Sequence, residues 1–438
     1  MRKRLFPLIL SGILLGVGLA LLGYLGKQPL ILAGGLLIFV LIFIKSNELG
    51  LFLFLIALPL SEAVSIFGYR GQEGLNLHWF LIFLVVFLGL IFLSVKKVNF
   101  TANPDWLFFF IFLAIWFFSL IRSEHKLFAL KSFFSFTSLF FLYLIFRESL
   151  RTKIQVKKAL LAISISSFIP IAIALWQNYK GIGIAKGAGS YVFSLFGNPN
   201  DFSLFLFACF PAYLITIFWA VNKSTKFIFT VFLILALICL YFSYTRTVFI
   251  SATVFLVVFL AMVLRPKVVL PVLGILFLPL AAKILPGWFM PFPGFLETSF
   301  LWRLQYWQAV WDYFLARPIL GYGFGSSIHV LSNELGVSHF PHNVYLKLAF
   351  ELGILGLVFY LVVIYLVFRQ AVYIYMNNQE HSYKIFASAV TAFLAGWLVC
   401  GLAIDVIIRQ VMLPLFFIML ALTGSVNKLV LNQKKVIS

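Results

Sequence analysis

Long apolar runs recur along the whole chain, and short polar or Gly- and Pro-containing stretches separate them. A helix needs about 20 apolar residues to cross a bilayer, so the pattern predicts about 12–14 membrane-spanning helices. The candidate spans are residues 5–25, 29–45, 49–67, 77–95, 106–121, 128–146, 159–178, 202–221, 227–243, 247–264, 268–285, 343–368, 386–404 and 410–424. The predicted fold class is therefore all-α, a polytopic transmembrane helical bundle.

Most connections between these spans are short, whereas residues 286–342 form a far longer one. This exceeds what a hairpin between neighbouring helices requires. We therefore predict an N-terminal transmembrane bundle (1–285), an extracytoplasmic, periplasmic loop with catalytic elements (286–342), and C-terminal transmembrane helices with a cytoplasmic tail (343–438). A second connection, 179–201, contains the Gly-rich sequence KGIGIAKGAGS.

The composition excludes a soluble domain. Hydrophobic residues make up 63% of the chain and charged residues 11%, and the mean hydropathy is +1.08, whereas roughly a quarter of residues in soluble domains are charged. The net charge of +20 does not indicate nucleic-acid binding, because the basic residues are dispersed among the connections. With a cytoplasmic N-terminus, the inner segments hold about 20 of the 33 Lys and Arg, as the positive-inside rule favours. Both termini are therefore predicted to be cytoplasmic.

The three cysteines, Cys209, Cys239 and Cys400, lie in apolar runs without CxxC or Cys/His spacing. This distribution predicts neither a disulfide framework nor a zinc site. We interpret all three as packing residues.

Within the long loop, the sequence FLWRLQYWQAVWDYFLARP has helical periodicity. The period places Phe300, Leu304, Trp307, Trp311 and Phe314 on one face and Gln305, Gln308 and Asp312 on the opposite face. Aromatic side chains favour headgroup depth, which predicts an interfacial helix on the outer membrane surface. Arg303 falls at the edge of the apolar face, where it either snorkels to lipid phosphate or binds a phosphate group in a cavity.

Arg246, in the sequence YFSYTRTVFISA, is predicted to lie at an outer turn between two spans. An arginine at a helix end costs much less than one at the bilayer centre, so snorkelling is one explanation. Ser243, Tyr244, Thr245 and Thr247 make this turn unusually polar for the region, which favours the wall of a cavity as the other.

Two further sequences are typical of turns. RPILGYGFGSS carries Gly321, Gly323 and Gly325, but a phosphate-binding loop needs a helix N-terminus after it, and the sequence shows no sign of one. We therefore predict a plain turn. In FGNPNDFSLFL, the Asn-Pro pair predicts a turn and Asp201 the N-cap of the next helix.

The sequence SHFPHNVYLKLAFELGILG ends the long loop and begins the next span. Pro341 interrupts the loop and Asn343 can cap the helix, but His342 has no such architectural role. Histidine is the side chain whose ordinary pKa lies nearest neutral pH, and His342 lies on the same predicted side as Arg246 and Arg303.

Four charged residues near these elements admit a structural explanation. Lys347 and Glu351 have i,i+4 spacing, so they can pair with each other or line one cavity. Asp405 and Arg409 bracket an outer turn and can likewise satisfy each other.

The sequences YTRT, WRLQYW with RPILGYGFG, and PHNVYLKLAFELGILG, preceded by FGNPND, together resemble the O-antigen ligase and O-antigen polymerase superfamily. The resemblance covers about Asn198 to Gly356, and the order of the elements is more specific than any single motif. It implies a glycosyltransferase that acts outside the bacterial cytoplasmic (inner) membrane.

The resemblance also implies substrates and roles. The donor is an undecaprenyl-pyrophosphate-linked glycan, the acceptor is a sugar hydroxyl on a glycan or lipid-linked sugar, and no cofactor, nucleotide sugar or metal is required. Arg246 and Arg303 match the arginines that would bind the donor pyrophosphate, and His342 matches the histidine that would orient or deprotonate the acceptor. The possible supporting residues are Asn343, Lys347 and Glu351.

Some alternatives stay open. Glu297, Asp312 and Glu334 are separated in the loop, so direct displacement with inversion is favoured over a covalent intermediate. A ligase and a polymerase need the same donor site, so the candidate residues fit both. The non-enzyme alternative is a transporter of polysaccharide or lipid-linked oligosaccharide, although the chain shows no convincing internal repeat.

Overall fold

The computed structural model describes residues 46–61, 85–86, 88–89, 105–124, 126–186, 189–264, 295–335, 341–408 and 411–437. Helices account for most of this part, which confirms the all-α class. The predicted spans 5–25, 29–45 and 268–285, most of 77–95, and Arg409 lie outside it.

The helices of the described ranges follow one another with short connections. In chain order they are α1 (Asn47–Ala57), α2 (Asp105–Arg122), α3 (Lys126–Ser149), α4 (Lys153–Ser166), α5 (Phe168–Lys180), α6 (Pro199–Trp219), α7 (Lys223–Phe242), α8 (Arg246–Val263), α9 (Phe295–Ala316), α10 (Ser326–Leu335), α11 (Val344–Asn377), α12 (His381–Gly401) and α13 (Met412–Ile437). Single 3-10 turns at Leu58–Ser61 and Val406–Ile408 precede connections.

Eight helical segments of the described chain are long and apolar enough to cross a membrane. They are α3, α4 together with α5, α6, α7, α8, α11, α12 and α13, and they coincide with eight of the predicted spans. The chain is therefore a multi-pass membrane protein. Helices α1 and α2 lie in two further predicted spans and are shorter apolar helices.

The connection between α5 and α6 departs from the purely helical prediction. A short antiparallel hairpin, β1 (Ile184–Lys186) and β2 (Gly189–Tyr191), forms within its Gly-rich sequence. The predicted N-cap at Asp201 is also wrong. Asn198 caps α6 instead, because its Oδ1 accepts from Asp201 N at 2.9 Å and leaves Asp201 in the first helical turn.

The interior of the bundle is formed mainly by α6 and α12, whose side chains are mostly buried by other helices, whereas α7 and α8 lie at the periphery. Small residues allow the close approach: an added Cβ on Gly396 of α12 would come within 2.6 Å of the Phe207 ring in α6. Cys209, Cys239 and Cys400 are all buried, as expected for packing residues.

Charged side chains gather at one end of the bundle, where α1, α4 and α12 begin and α3, α6, α11 and α13 end. We call residues 147–158, 378–384 and 428 the basic end. Its ion pairs are Lys153 with Glu380, Lys158 with Glu48 at 2.8 Å, and Lys428 with Glu148 at 2.5 Å. Trp219 Nε1 also donates to the Ser382 carbonyl there, at 2.8 Å.

Helices α8 and α12 run antiparallel. Near the start of α8 and the end of α12, an added Cβ on Gly396 would lie 2.6 Å from the Ser251 carbonyl oxygen. Toward the basic end, Tyr375 of α11 links the same two helices. Its hydroxyl donates to the Met262 carbonyl at 3.1 Å, and its ring centroid lies 6.0 Å from Lys384 Nζ.

This arrangement fixes the level of Arg246. Arg246 comes before Ser251 in α8, and Gly401 comes after Gly396 in α12 by the same number of residues. Because the two helices are antiparallel and have the same rise per residue, Arg246 and Gly401 lie at the same height in the bundle. Gly401 lies against the first residue of α11, Val344, whose Cγ1 would be 2.7 Å from an added Cβ. We call Arg246 and residues 317–327, 341–352 and 402–405 the loop end, which lies opposite the basic end.

Candidate functional site

Helix α11 is broken at Gly353, whose φ of 67° and ψ of −169° are not helical. A straight helix would separate Tyr345 from Tyr360 by about 22 Å along its axis, yet their ring centroids lie 6.2 Å apart. The helix is therefore sharply bent, and residues 344–352 form a separate short helix at the loop end. We call residues 344–352 the bent segment.

The Gly-rich turn 317–325 fills this break with three backbone hydrogen bonds. They run from Tyr322 N to the Phe350 carbonyl (3.0 Å), from Gly323 N to the Glu351 carbonyl (2.8 Å) and from Ile354 N to the Pro318 carbonyl (2.7 Å). Broken helices are tolerated at membrane depth where protein satisfies the freed backbone groups. Only glycine fits at 353, because an added Cβ would lie 2.2 Å from the Ile319 carbonyl oxygen.

The expectation that no helix follows Gly325 is wrong, because α10 begins at Ser326. Its first turn is already occupied by a carboxylate of the bent segment. Glu351 Oε1 accepts from Ser327 Oγ at 2.5 Å and from Ser327 N at 3.3 Å, and Glu351 also accepts from the Gly325 backbone. Glu351 thus takes the position that phosphate occupies in a phosphate-binding loop.

Lys347 and Asp405 form an ion pair with Nζ and Oδ2 3.5 Å apart, and both side chains are 0% exposed. The pair joins the middle of the bent segment to the turn after α12. Lys347 Nζ also lies 5.3 Å from the centroid of the Phe324 ring. Lys347 also interacts electrostatically with Glu351, as their i,i+4 spacing predicts. The two residues additionally contact different elements, Asp405 for Lys347 and Ser327 for Glu351.

Helix α9 is present as predicted. Its buried side chains include Tyr306, Val310 and Phe314, while Leu304 and Trp311 of the predicted membrane-facing side are 42% and 47% exposed. Tyr306 and Val310 pack with Phe350 of the bent segment and Leu331 of α10, which periodicity alone does not reveal.

Arg303 lies one turn before Tyr306, on the packed side of α9. It is half-buried, and this burial lowers the pKa of its guanidinium. Its Nε is buried without a hydrogen-bond partner among the described residues. The pKa of Tyr306 is raised by burial and then by the charges of Asp405 and Glu351, so α9 lies close to the buried carboxylates.

Trp307 connects α9 to the turn that carries His342. Its Nε1 donates to the Pro341 carbonyl at 2.7 Å. His342 follows with a φ of 50°, a left-handed value that is uncommon outside glycine and typical of constrained, functional positions. Asn343 then caps α11 as predicted, because its Oδ1 accepts from Tyr345 N and Leu346 N. The structure therefore brings the helix of Arg303 and the turn of His342 together.

Arg246 is the first residue of α8 and is exposed. The turn before it contains a buried cluster of hydroxyl groups, in which Ser203 Oγ lies 2.9 Å from Ser243 Oγ and 2.8 Å from Thr245 Oγ1. Tyr244, which lies between Ser243 and Thr245 in the sequence, has a φ of 51° and an exposed side chain. This polar cluster anchors the turn, and the level of Gly401 places Arg246 at the same end as His342.

An apolar cavity of about 170 Å³ lies beside the bent segment, among α2, α3, α11 and α13. Its lining is almost entirely hydrophobic and rich in aromatic rings. The residues nearest the loop end are Trp116, Phe136, Leu348 and Leu352.

Sequence reasoning missed Ser203, Ser327 and Tyr306 as contributors to the loop end. Hydroxyl residues in apolar helices are common, and their partners here are up to 42 residues away along the chain. The sequence did single out Asp405, because it is a carboxylate at the end of a predicted span. It did not reveal that Lys347 is the ion-pair partner of Asp405.

Comparison with known proteins agrees with this picture. Residues 231–361 match the family model described as "O-Antigen ligase". A Rickettsia prowazekii protein named "Putative polysaccharide ligase" is 28% identical over 27% of this chain and 34% of its own length. Proteins of the same name from Rickettsia typhi and Rickettsia felis are 28% and 27% identical, over 26% and 27% of this chain and 32% and 34% of their own lengths.

The chain thus matches about a third of the length of these relatives. The matched family segment contains Arg246, Arg303 and His342. The resemblance found in the sequence is therefore confirmed for residues 231–361, which match the O-antigen ligase family.

Proposed function

We propose that the protein transfers or polymerises an undecaprenyl-pyrophosphate-linked glycan onto a sugar acceptor at the outer face of the bacterial cytoplasmic membrane. The observation that carries the proposal is the hydrogen bond from Trp307 to the Pro341 carbonyl, which joins the helix of Arg303 to the turn of His342. Arg246 lies at the same end of the bundle. The positive-inside rule supports a cytoplasmic basic end and an extracytoplasmic loop end, with 286–342 as the catalytic loop.

The two arginines suit a pyrophosphate leaving group. A guanidinium is planar, stays charged and donates hydrogen bonds in a fork that matches phosphate oxygens. Arg303 is half-buried on the packed side of α9, where lower solvation strengthens its interaction with an anion. In the proposed reaction Arg246 and Arg303 bind the donor pyrophosphate and stabilise the charge that develops as it leaves.

His342 is the base in the proposed reaction. The acceptor hydroxyl oxygen attacks the anomeric carbon of the donor, and the hydroxyl proton passes to His342. The bond from that carbon to the pyrophosphate oxygen breaks, and the lipid pyrophosphate leaves with the electron pair. One displacement inverts the anomeric configuration. A histidine suits this role because its ordinary pKa is near the working pH.

The apolar cavity beside the bent segment supports a lipid-linked donor. Its hydrophobic, aromatic lining includes Leu348 and Leu352, which directly follow Lys347 and Glu351 in the bent segment. A prenyl chain in this cavity would leave its pyrophosphate near the loop end.

Transport of a lipid-linked oligosaccharide is the alternative, and the break in α11 is the observation that favours it. Transporters use broken helices whose free ends bind substrate or ions. In this protein the carbonyls of Phe350 and Glu351 instead accept hydrogen bonds from the turn 317–325. The break therefore supports a fixed scaffold better than an ion site.

The test is glycan transfer by the purified, reconstituted protein, supplied with a pyrophosphate-linked oligosaccharide lipid and candidate acceptors. We expect mass spectrometry to show transfer that falls at least about 100-fold in Arg246→Ala, Arg303→Ala and His342→Ala, while thermal unfolding shows the variants to be folded. A single addition to lipopolysaccharide core identifies a ligase, and a ladder of repeats identifies a polymerase. Absence of product with every acceptor, together with donor movement across proteoliposomes, would favour the transporter.

A further inference from the structure

We propose that the buried Lys347–Asp405 ion pair and the Glu351–Ser327 contact are positioning elements, which fix the bent segment so that His342 faces the acceptor. This inference rests on the proposed function for the role of His342. Lys347, Glu351 and Asp405 do not touch the reacting atoms in this account. They act through the orientation of residues 344–352.

The bent segment needs external support because the break at Gly353 separates it from the rest of α11. A helix this short is not stable by itself in water, and most of its stability comes from tertiary contacts. Those contacts decide where its first residues, and therefore His342, lie.

The contacts hold the bent segment at its beginning, middle and end. At the beginning, Trp307 of α9 donates to the Pro341 carbonyl. In the middle, Lys347 pairs with Asp405 in the turn after α12. At the end, Glu351 accepts from Ser327 at the start of α10.

Lys347 and Glu351 lie on the same side of the segment as Asn343, because positions i, i+4 and i+8 form one helical stripe. The same side of the segment therefore carries Asn343, the cap next to His342, and the two charged residues Lys347 and Glu351. Rotation of the segment about its axis would disrupt the two anchors together, so their geometry specifies a single rotation.

The burial of these charges argues for a specific role. Lys347, Glu351 and Asp405 are each 0% exposed. Apolar residues of similar size often stabilise a protein as well as a buried ion pair does, or better, and an ion pair offers directional specificity instead. Ionisable residues in membrane segments are expensive and commonly mark functional positions.

The experiment compares wild type with the double variant Lys347→Met/Asp405→Leu, which replaces both charged side chains with uncharged, apolar ones. The single variants can misfold, whereas the double variant leaves neither charge of the pair uncompensated. The matched control is Lys153→Met/Glu380→Leu at the basic end. Hydrogen exchange of residues 341–352 and the kinetics of glycan transfer are measured on all three proteins, and thermal unfolding confirms that each is folded.

We expect the double variant to fold with a melting temperature close to wild type, to exchange faster over residues 341–352, and to lose about 10–100-fold in kcat with little change in KM. The control should match wild type in all three. Wild-type exchange or a wild-type kcat in the folded double variant would overturn the inference. Absence of transfer by wild type itself would refute the proposed function, and the exchange data would still decide whether the ion pair orders the segment.

Discussion

The ion pairs at the two ends of the bundle use the same residue types in opposite environments. At the basic end, the side chains of Lys153 and Glu380 are 37% and 46% exposed, whereas those of Lys347 and Asp405 at the loop end are 0% exposed. Water solvates and screens the first pair, which therefore contributes about 0–1 kcal/mol. The second pair loses that solvation, so each charge depends on its partner. Location, more than residue type, decides what an ion pair does.

The largest expected difference between the ends follows from removal of one charge. Lys347→Met leaves Asp405 buried without its ion-pair partner and should lower the free energy of unfolding by about 3–5 kcal/mol. Lys153→Met at the basic end should cost less than about 1 kcal/mol. Thermal unfolding in one detergent compares the two variants, and equal losses would contradict the distinction between the ends.

Glycines with positive φ provide a second comparison. Gly353→Ala combines a strained φ with a contact of 2.2 Å to a backbone oxygen, so we expect a loss of about 2–3 kcal/mol. Gly181→Ala has a similar φ of 64° and nothing within 4 Å, so its loss should be about 1 kcal/mol. Thermal unfolding measures both, and a smaller loss for Gly353→Ala would show that the turn 317–325 is not held against α11.

Two indole hydrogen bonds allow stability to be separated from activity. Trp307 donates to the Pro341 carbonyl at the loop end and Trp219 to the Ser382 carbonyl at the basic end, at 2.7 and 2.8 Å. Trp307→Phe and Trp219→Phe should each cost about 1 kcal/mol of stability. Only Trp307→Phe should also lower kcat for glycan transfer. An equal loss of kcat in both would mean that activity merely follows stability.

The smallest expected effect concerns pH at the basic end. Hydrogen bonds from Lys158 and Gln155 lower the pKa of Glu48 below its ordinary 4.5. Because the folded pKa is lowered, the contribution of Glu48 to stability is present above 4.5 and is lost as the pH falls through the folded value. Lys158→Met should therefore flatten the acid side of the stability profile by less than about 1 kcal/mol. Wild-type acid sensitivity in this variant would exclude the pair as its cause.

The hydropathy pattern predicted much of the helical fold, because length and apolarity are local properties of the chain. The periodicity of residues 300–318 likewise predicted α9. The position of Asn343 predicted the cap of α11. These features depend on neighbouring residues and need no tertiary contact.

The prediction failed where distant elements decide the outcome. Gly353 lies in a continuous apolar run that is compatible with an unbroken helix, and the bend depends on the turn 317–325. Lys347 pairs with Asp405 on a different element. The packing of Tyr306 in α9 was not predicted, because its partners Leu331 of α10 and Phe350 of the bent segment lie far from it along the chain. The proposed roles of Arg246, Arg303 and His342 rest on family resemblance, because periodicity left them open.

The most direct test of the account is the initial rate of glycan transfer for matched arginine variants at the two ends. Arg303→Ala removes the half-buried guanidinium of α9, the helix that Trp307 joins to the loop end, and Arg151→Ala removes an exposed guanidinium of the basic end. The account predicts at least a 100-fold loss for Arg303→Ala, about 2.7 kcal/mol of transition-state stabilisation, and a wild-type rate for Arg151→Ala. Equal rates for the two folded variants would contradict the claim that the chemistry takes place at the loop end.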